Sequence, residues 1–338
     1  MLHFQQFDGT MSEWDAILET FPDREIFQTS AWIQFLAESQ NGKPVLLVLM
    51  DGEQMAGYFA GLIVRKAGCK ILGSPFVGWT TEHMGIRLLP GVSKRDAVAA
   101  LADYAFTRLG CIHVEMTDLN IAPDDVAGLG FQHAASRTTV IDLTADEDRI
   151  YSEMSSKSCR YCIRKAEKLG VVLEEARDEA FADDYFAQLR DVFAKQDLVP
   201  TYGKERVRSL IRHLLPTGNL LLLRAREPSG RCIATSIFLG MHEYAYFWGN
   251  ASWRADQQFC PNEALQWYAI RYWKRRGMRY HDLGGGGLYK RKYGGHPVDH
   301  YRLVKSKYAW IAFARDCAFR AFKVRQRVFG WWRGGRSP

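Results

Sequence analysis

Residues 157–171, KSCRYCIRKAEKLGV, gather cations with no acid before Glu167. On a helix Arg160 and Arg164 stand four residues apart, so both guanidinium groups project from one face, and Lys157 lies three residues before Arg160. Cations so spaced repel one another unless an anion sits between them, and a guanidinium fork matches two phosphate oxygens at once. Lys157, Arg160 and Arg164 are therefore expected to hold a phosphate-bearing substrate; the plainer alternative is a solvated basic face shared with Lys165 and Lys168. Cys159 and Cys162 form a single Cys-x-x-Cys in the same stretch. A zinc site needs four ligands and a thioredoxin motif needs a βαβ context, so these two are expected as packing residues and no metal is expected.

Two further segments carry chemistry. In residues 248–277, WGNASWRADQQFCPNEALQWYAIRYWKRRG, a strand ends near Asn250, a polar loop follows, and Pro261-Asn262 opens a long amphipathic helix. Free N–H groups in a first helical turn suit an anion or a carbonyl, so Trp248, Asn250 and Asn262 are binding candidates. In residues 280–301, YHDLGGGGLYKRKYGGHPVDHY, Asp282 ends a strand and four glycines follow. Such a run is costly in chain entropy as a mere connector, and it lets backbone approach a ligand closely. Lys290, beside Tyr289 and followed by Arg291, Lys292 and Tyr293, is expected to stabilise an oxyanion or polarise a carbonyl, with Tyr289 on the substrate. Asp282 and Glu263 are the candidates for a general base, by position alone.

Elements of alternating type must position these groups. Periodicity and caps predict helices near 12–21, 29–39, 93–109, 122–128, 145–154, 156–169, 178–195, 203–214 and 262–276. Strands are predicted at PVLLVLMDG, QMAGYFAGLIVRKAG, CKILGSPF, CIHVEMTD and TTVIDLT, then at GNLLLLRA, CIATSIFLGM, EYAYFWGN and MRYHDL. The two halves read as copies: NGKPVLLVLMDGEQMAGYFAGL returns as TGNLLLLRAREPSGRCIATSIFLG, and RLGCIHVEM returns as RRGMRYHDL, which sets Glu115 opposite Asp282. Consecutive strands are hairpin-spaced, no GxGxxG follows a strand and no Walker A sequence occurs, so hydride transfer and P-loop chemistry are excluded. The expected fold class is α/β of the α+β kind, with mixed, mostly antiparallel sheets flanked by helices. Domains are expected at 1–144 and 145–307, with a tail at 308–338.

With these pieces in order, the chain resembles the FemAB-like branch of the GNAT acyltransferases. The matching pieces are FQTSAW (residues 27–32), the R-x-x-I-R-K-A core of residues 160–166, GNASWRADQQFCPNEALQW, and the DLGGGG…YKRKYGG ending. The resemblance implies two tandem GNAT-like domains and transfer of an acyl or aminoacyl group to an amine or hydroxyl of a cell-envelope saccharide or peptidoglycan-type precursor. It implies a substrate-phosphate arginine at Arg160 and the motif lysine at Lys290, with acyl-CoA or aminoacyl-tRNA as donor. Ile33, Gln34, Phe35 and Leu36 follow the Ser-x-Trp motif where peptidoglycan-modifying members carry a lysine, and the usual RxxGxG/A loop and a long charged helical pair are both absent. The missing lysine and helical pair point away from a muramyl pentapeptide and from a tRNA donor, while the missing RxxGxG/A loop weakens the inference of coenzyme A. Two other readings stand beside this one: aminoacyl-tRNA-dependent aminoacylation of a lipid, and a non-catalytic scaffold that binds envelope precursors.

Charge placement bears on partners. The chain of 338 residues carries +7, but residues 301–338 hold ten Lys/Arg against Asp316 alone, so the tail is +9 and the rest is −2. A near-neutral body disfavours DNA, and a basic tail favours a local electrostatic attachment. Trp310, Phe313, Ala314, Cys317, Ala321, Val324, Val328 and Trp331 share one side of a helical wheel, with Arg315, Arg320, Lys323 and Arg327 on the other. That pattern predicts a helix lying on an anionic membrane surface, with packing on the body as the alternative. The opening MLHFQQFDG has no basic-then-apolar leader pattern, and seven scattered cysteines fit reduced thiols. The expected location is cytoplasmic, peripheral on the inner membrane face.

Overall fold

The computed structural model describes residues 1–194, 198–285, 287–311, 313–315 and 317, which group into two compact units. The first comprises residues 1–137 and 299–316. It runs β1 (Leu2–Gln6), α1 (Met11–Glu19), α2 (Ser30–Gln40), β2 (Lys43–Asp51), β3 (Gln54–Lys66), β4 (Cys69–Ser74), β5 (Ile86–Leu88), α3 (Lys94–Thr107) and β6 (His113–Asp118). Local chemistry sets these boundaries. Thr10 and Glu13 close a capping box on α1, Ser93 caps α3, and Gly52 at φ 62° turns β2 into β3. Val45 to Leu49 are buried at every position, as a central strand covered on both faces requires. The sheet order is β1-β2-β3-β4-β6, antiparallel except for β4 beside β6, and its core gathers Leu47, Phe59, Leu72, Leu101 and Val114.

The second unit begins inside β7 (Gln132–Asp142). It continues with α4 (Glu147–Glu153), α5 (Tyr161–Lys168), β8 (Val172–Ala176), α6 (Phe181–Ala194) and α7 (Lys204–Leu214). Then come β9 (Leu220–Arg226), β10 (Cys232–Met241), β11 (Tyr244–Ser252), α8 (Pro261–Arg275) and β12 (Tyr280–Asp282), before β13 (His296–Ser306). Its sheet order is β7-β12-β11-β10-β9-β8, antiparallel except for β12 beside β11. Phe238, Leu265 and Trp273 centre its core. Gly240 on β10 is needed there, because a Cβ would lie 2.5 Å from the Trp273 ring.

The fold is thus mixed α/β with mostly antiparallel strands and flanking helices, and both units repeat hairpin strands, a helix and a parallel strand. Glu115 on β6 pairs beside Gly73, and Asp282 on β12 pairs beside Tyr246, so the two residues aligned by sequence occupy corresponding parallel strands. The strand TTVIDLT pairs with the second unit, and β13, where the linear pattern predicted no strand, pairs with the first. Residues 140–142 of β7 pair with β12, and residues 301–306 of β13 pair with β6. Contacts accordingly group 299–316 with the first unit, where the sequence pattern drew the second through 307. Two expected helices also differ. Residues 122–128 hold only a 3-10 turn, Pro123–Val126, and residues 156–160 form a π turn ahead of α5.

Candidate active site

β12 meets β11 only over Tyr244–Tyr246 and Tyr280–Asp282. β11 runs on to Ser252, and no ladder among the described residues joins Phe247–Ser252 on the β12 side. β12 ends at Asp282 while β11 continues, so backbone N–H and C=O groups of Phe247–Ser252 on that side have no strand partner among the described residues. A bulge lies at this point: Ile237 pairs with Gly249 and Phe238 with Phe247, leaving Trp248 as the extra residue. Bulges re-aim side chains, and the indole Nε1 of Trp248 is buried with no protein partner.

The start of α8 closes on this strand. Asn250 Nδ2 donates to Ser236 Oγ at 2.7 Å and to Asn262 Oδ1 at 3.2 Å, and Asn262 Nδ2 donates to Ser252 Oγ at 3.2 Å. Two of the expected binding residues, 12 positions apart, are thus one polar network. Cys260 precedes α8 in the left-handed region at φ 52° with no side-chain cap, and Pro261 opens the first turn. First-turn N–H groups there are met by no capping side chain.

The glycine run follows β12. Gly284 and Gly285 take φ of 65° and 59°, which side chains resist, and this bends the chain into a 3-10 turn over Leu288–Tyr293. Lys290 Nζ lies 5.6 Å from the centre of the Phe247 ring, where β11 leaves β12. Tyr289 and Tyr293 share a hydroxyl hydrogen bond of 2.9 Å, and Lys292 Nζ sits 3.8 Å over the Tyr289 ring. Ser155 N donates to Lys292 O at 2.9 Å, which ties the π turn of 156–160 to this loop. The three segments singled out by sequence therefore converge in one unit.

Their cations part company. In the π turn, Arg160 N bonds to Ser155 O five residues back, and Arg160 becomes half-buried while Lys157 and Arg164 stay exposed. The Arg160 guanidinium lies 6.0 Å from the Tyr151 ring centre, and its Nε is buried with no protein partner. The π turn offsets Lys157 from Arg160, whereas Arg160, at φ −58° and ψ −39°, opens α5 four residues before Arg164 and differs from it in burial.

Both candidate bases also hold local structure. Asp282 Oδ1 accepts from Thr138 Oγ1 and from Gly284 N at 2.7 Å, so this carboxylate anchors the turn into the glycine run. Glu263 is held by the Lys292 ammonium, which fixes the loop to α8. Cys162 Sγ, Cys260 Sγ and a Glu263 oxygen lie within 4.8 Å of one another, a grouping the Cys-x-x-Cys spacing did not announce. Lys292 and the positive end of α8 set the local charge against a cation there. Burial, chiefly, pushes the Cys162 thiol up to about 12.

Sequence reasoning missed a polar aromatic wall beside β11. Tyr185 and Tyr202 share a hydroxyl bond of 3.0 Å, Tyr202 stacks 5.9 Å from Trp248, and the Arg206 guanidinium lies 5.2 Å from the Tyr202 ring. Burial pushes Arg206 down to about 10. Gly249 admits this wall, since a Cβ would meet the Tyr185 hydroxyl at 2.4 Å. Nothing in the spacing of these residues marks them.

His281, fully buried on β12, meets the Gln266 amide at 2.8 Å, and burial pushes its imidazole down to about 3. The unfolded chain, near 6.5, then takes the proton first, so stability is full above that pH and falls as pH drops toward 3. The expected loss is on the order of a few kcal/mol. Denaturant titrations across this range should show it, and His281→Gln should flatten the slope; an unchanged slope would assign acid lability elsewhere.

Comparison with known proteins places this arrangement. Residues 155–293 match the family model described as Acetyltransferase (GNAT) domain. The crystal structure of FemX superposes with a TM-score of 0.69 at 13% identity, covering 88% of this chain and 96% of that one. A tandem GNAT protein from the clavulanic acid biosynthesis pathway gives 0.53 at 13%, covering 91% and 99%. The C-terminal domain assigned to a lysylphosphatidylglycerol synthetase from Agrobacterium fabrum gives 0.53 at 12%, covering 90% and 94%. No curated protein sequence matches the chain. Residues 155–293 thus match an acyltransferase domain of the GNAT kind, and the chain shares the fold of FemX and of the tandem GNAT protein.

Proposed function

We propose that this acyltransferase moves an acyl or aminoacyl group from a thioester or ester donor to an amine or hydroxyl of a phosphorylated or lipid-linked saccharide precursor of the cell envelope. The observation that carries the reading is the length of β11 that runs on past the end of β12, with Asn250, Asn262 and Lys290 beside it in the segment matching the GNAT model. An extended donor arm can pair with the open edge of β11, as peptides add to sheet edges. The acceptor nitrogen or oxygen attacks the donor carbonyl carbon, forming a C–N or C–O bond. The C–S bond of an acyl-CoA, or the ester C–O bond of an aminoacyl-tRNA, breaks, and the departing thiolate or alkoxide takes the acceptor's proton and leaves as a thiol or hydroxyl. Catalysis rests on positioning and on charge stabilisation, with Lys290 on the oxyanion and Arg160 on substrate phosphate. Trp248, Asn250, Asn262 and Tyr289 line the substrate path, while Lys157 and Arg164 add a weaker, exposed field.

Acyl-CoA is the preferred donor. Thermal melts with acetyl-CoA and longer acyl-CoA esters test the donor, and mass spectrometry of envelope saccharides from a deletion strain beside its parent tests the acceptor. An acyl group missing from one saccharide is the expected result; an unaltered saccharide pool with unchanged melts would overturn the reading. A second reading, tRNA-dependent aminoacylation of a phospholipid headgroup, is favoured by Trp310 and Phe313, which are 63% and 72% exposed at the start of the tail. The same residues support attachment of the tail to the inner face of the cytoplasmic membrane. Ile311 is buried and Arg315 Nη1 meets Glu115 at 2.9 Å, so the tail's first turn is fastened to the first unit while its aromatics face out. Residues 318–338, with Phe319, Arg320, Phe322, Lys323, Arg327 and Trp331, lie outside the described residues. No helix among the described residues is long and apolar enough to cross a membrane.

A further inference from the structure

At one end of the first unit, the C-terminus of α2, the start of β2, the β3–β4 turn and the C-terminus of α3 enclose an open concavity of about 560 Å³. Lys43, Arg65, Lys70 and Arg108 line it together with Asn41, and no carboxylate does. None of these four cations forms an ion pair among the described residues, and Lys66 stands exposed beside them. Helix C-termini attract cations, and Lys70 Nζ does donate to Leu109 O at 3.0 Å. Lys43, Arg65 and Arg108 make no such capping bond, so helix ends account for one cation of the four.

The tail begins at this same end. Ile112 N donates to Lys70 O at 3.0 Å, and Lys307 N donates to Ile112 O at 2.9 Å. Tyr308, Trp310 and Phe313, exposed by 50%, 63% and 72%, follow within six residues. Single exposed aromatics are ordinary, but three beside an unpaired basic concavity match a membrane interface, where rings lie at headgroup depth and cations meet phosphate.

We propose that the concavity of Lys43, Arg65, Lys70 and Arg108 seats the phosphate of an anionic phospholipid headgroup while Trp310 and Phe313 enter the interface beside it. The proposal rests on the membrane attachment inferred for the tail and adds to it a built site, separate from the acyl-transfer site of the second unit. A concave seat with forked guanidinium groups favours a discrete headgroup over a flat, diffuse field.

Sedimentation with vesicles tests it, using the full chain with equimolar phosphatidylglycerol and phosphatidylcholine, or phosphatidylcholine alone. The wild type is expected to bind the former only, and Arg65→Gln with Arg108→Gln to weaken binding roughly thirtyfold, about fivefold for each cation removed. Lys168→Gln with Arg177→Gln, which removes equal charge from exposed positions of the second unit, is expected to cost far less. Arg65→Lys with Arg108→Lys should restore part of the binding, and Lys43→Gln alone should weaken it. If the pocket variants bind like wild type while deletion of 309–338 abolishes binding, the tail attachment stands and the pocket is overturned. Equal losses in the pocket and control variants would also overturn it, as diffuse attraction. If glycerol 3-phosphate saturates the concavity and the pocket variants still bind vesicles fully, the site belongs to a soluble anion and the proposal fails.

Discussion

Replacing Arg160 by alanine should weaken binding of the phosphate-bearing acceptor by about 2–5 kcal/mol, as loss of a desolvated charge-assisted contact does. Arg160 is half-buried and its Nε is buried without a protein partner, so an anion docking there meets a partly desolvated guanidinium. No ion pair among the described residues is lost with it, and stability should change by roughly 0.5 kcal/mol or less. Arg160→Lys should recover little, because an ammonium cannot make the paired bonds of a guanidinium fork. Arg164→Ala, on the exposed face of α5, should cost about 1 kcal/mol or less. Calorimetric titration of the acceptor reads all three variants. Unchanged affinity in Arg160→Ala would reduce the segment to a solvated basic face.

Lys290→Ala should lower kcat by roughly a hundred- to a thousandfold with a much smaller change in KM. An oxyanion contact strengthens only as the carbonyl oxygen gains charge, so it is felt in turnover rather than in ground-state binding. Its ammonium stands by Phe247, at the point where β11 leaves β12, and the left-handed glycines 284 and 285 bring it there. Steady-state kinetics with the donor saturating separates the two constants. A raised KM with kcat preserved would make Lys290 a ground-state binding group. Lys292 differs in role: it is tied to Glu263, and its removal should loosen the loop and lower the melting temperature as well as the rate.

Sequence alone determined what depends on neighbours along the chain. Capping at Thr10 and Ser93, the turn at Gly52 and the left-handed glycines after Leu283 follow from chemistry within a few residues. The repeated order of strands and helices was legible for the same reason, since apolar periodicity records which face each element will bury. The three motif segments were recognisable before anything showed that they meet. Tertiary structure alone decided which of their side chains are available. Asp282 is met by Thr138 from 144 positions away and Glu263 by Lys292 from 29, so both candidate bases also fasten loops. The partial burial of Arg160 also came from packing, because Ser155, at the head of its π turn, donates its N–H to Lys292 O, a bond that no local preference encodes. The wall of Tyr185, Tyr202 and Arg206, and the pairing of β7 with β12 and of β13 with β6, belong to the same class. Each depends on which distant surfaces desolvate together, a condition that exists only once the chain has folded.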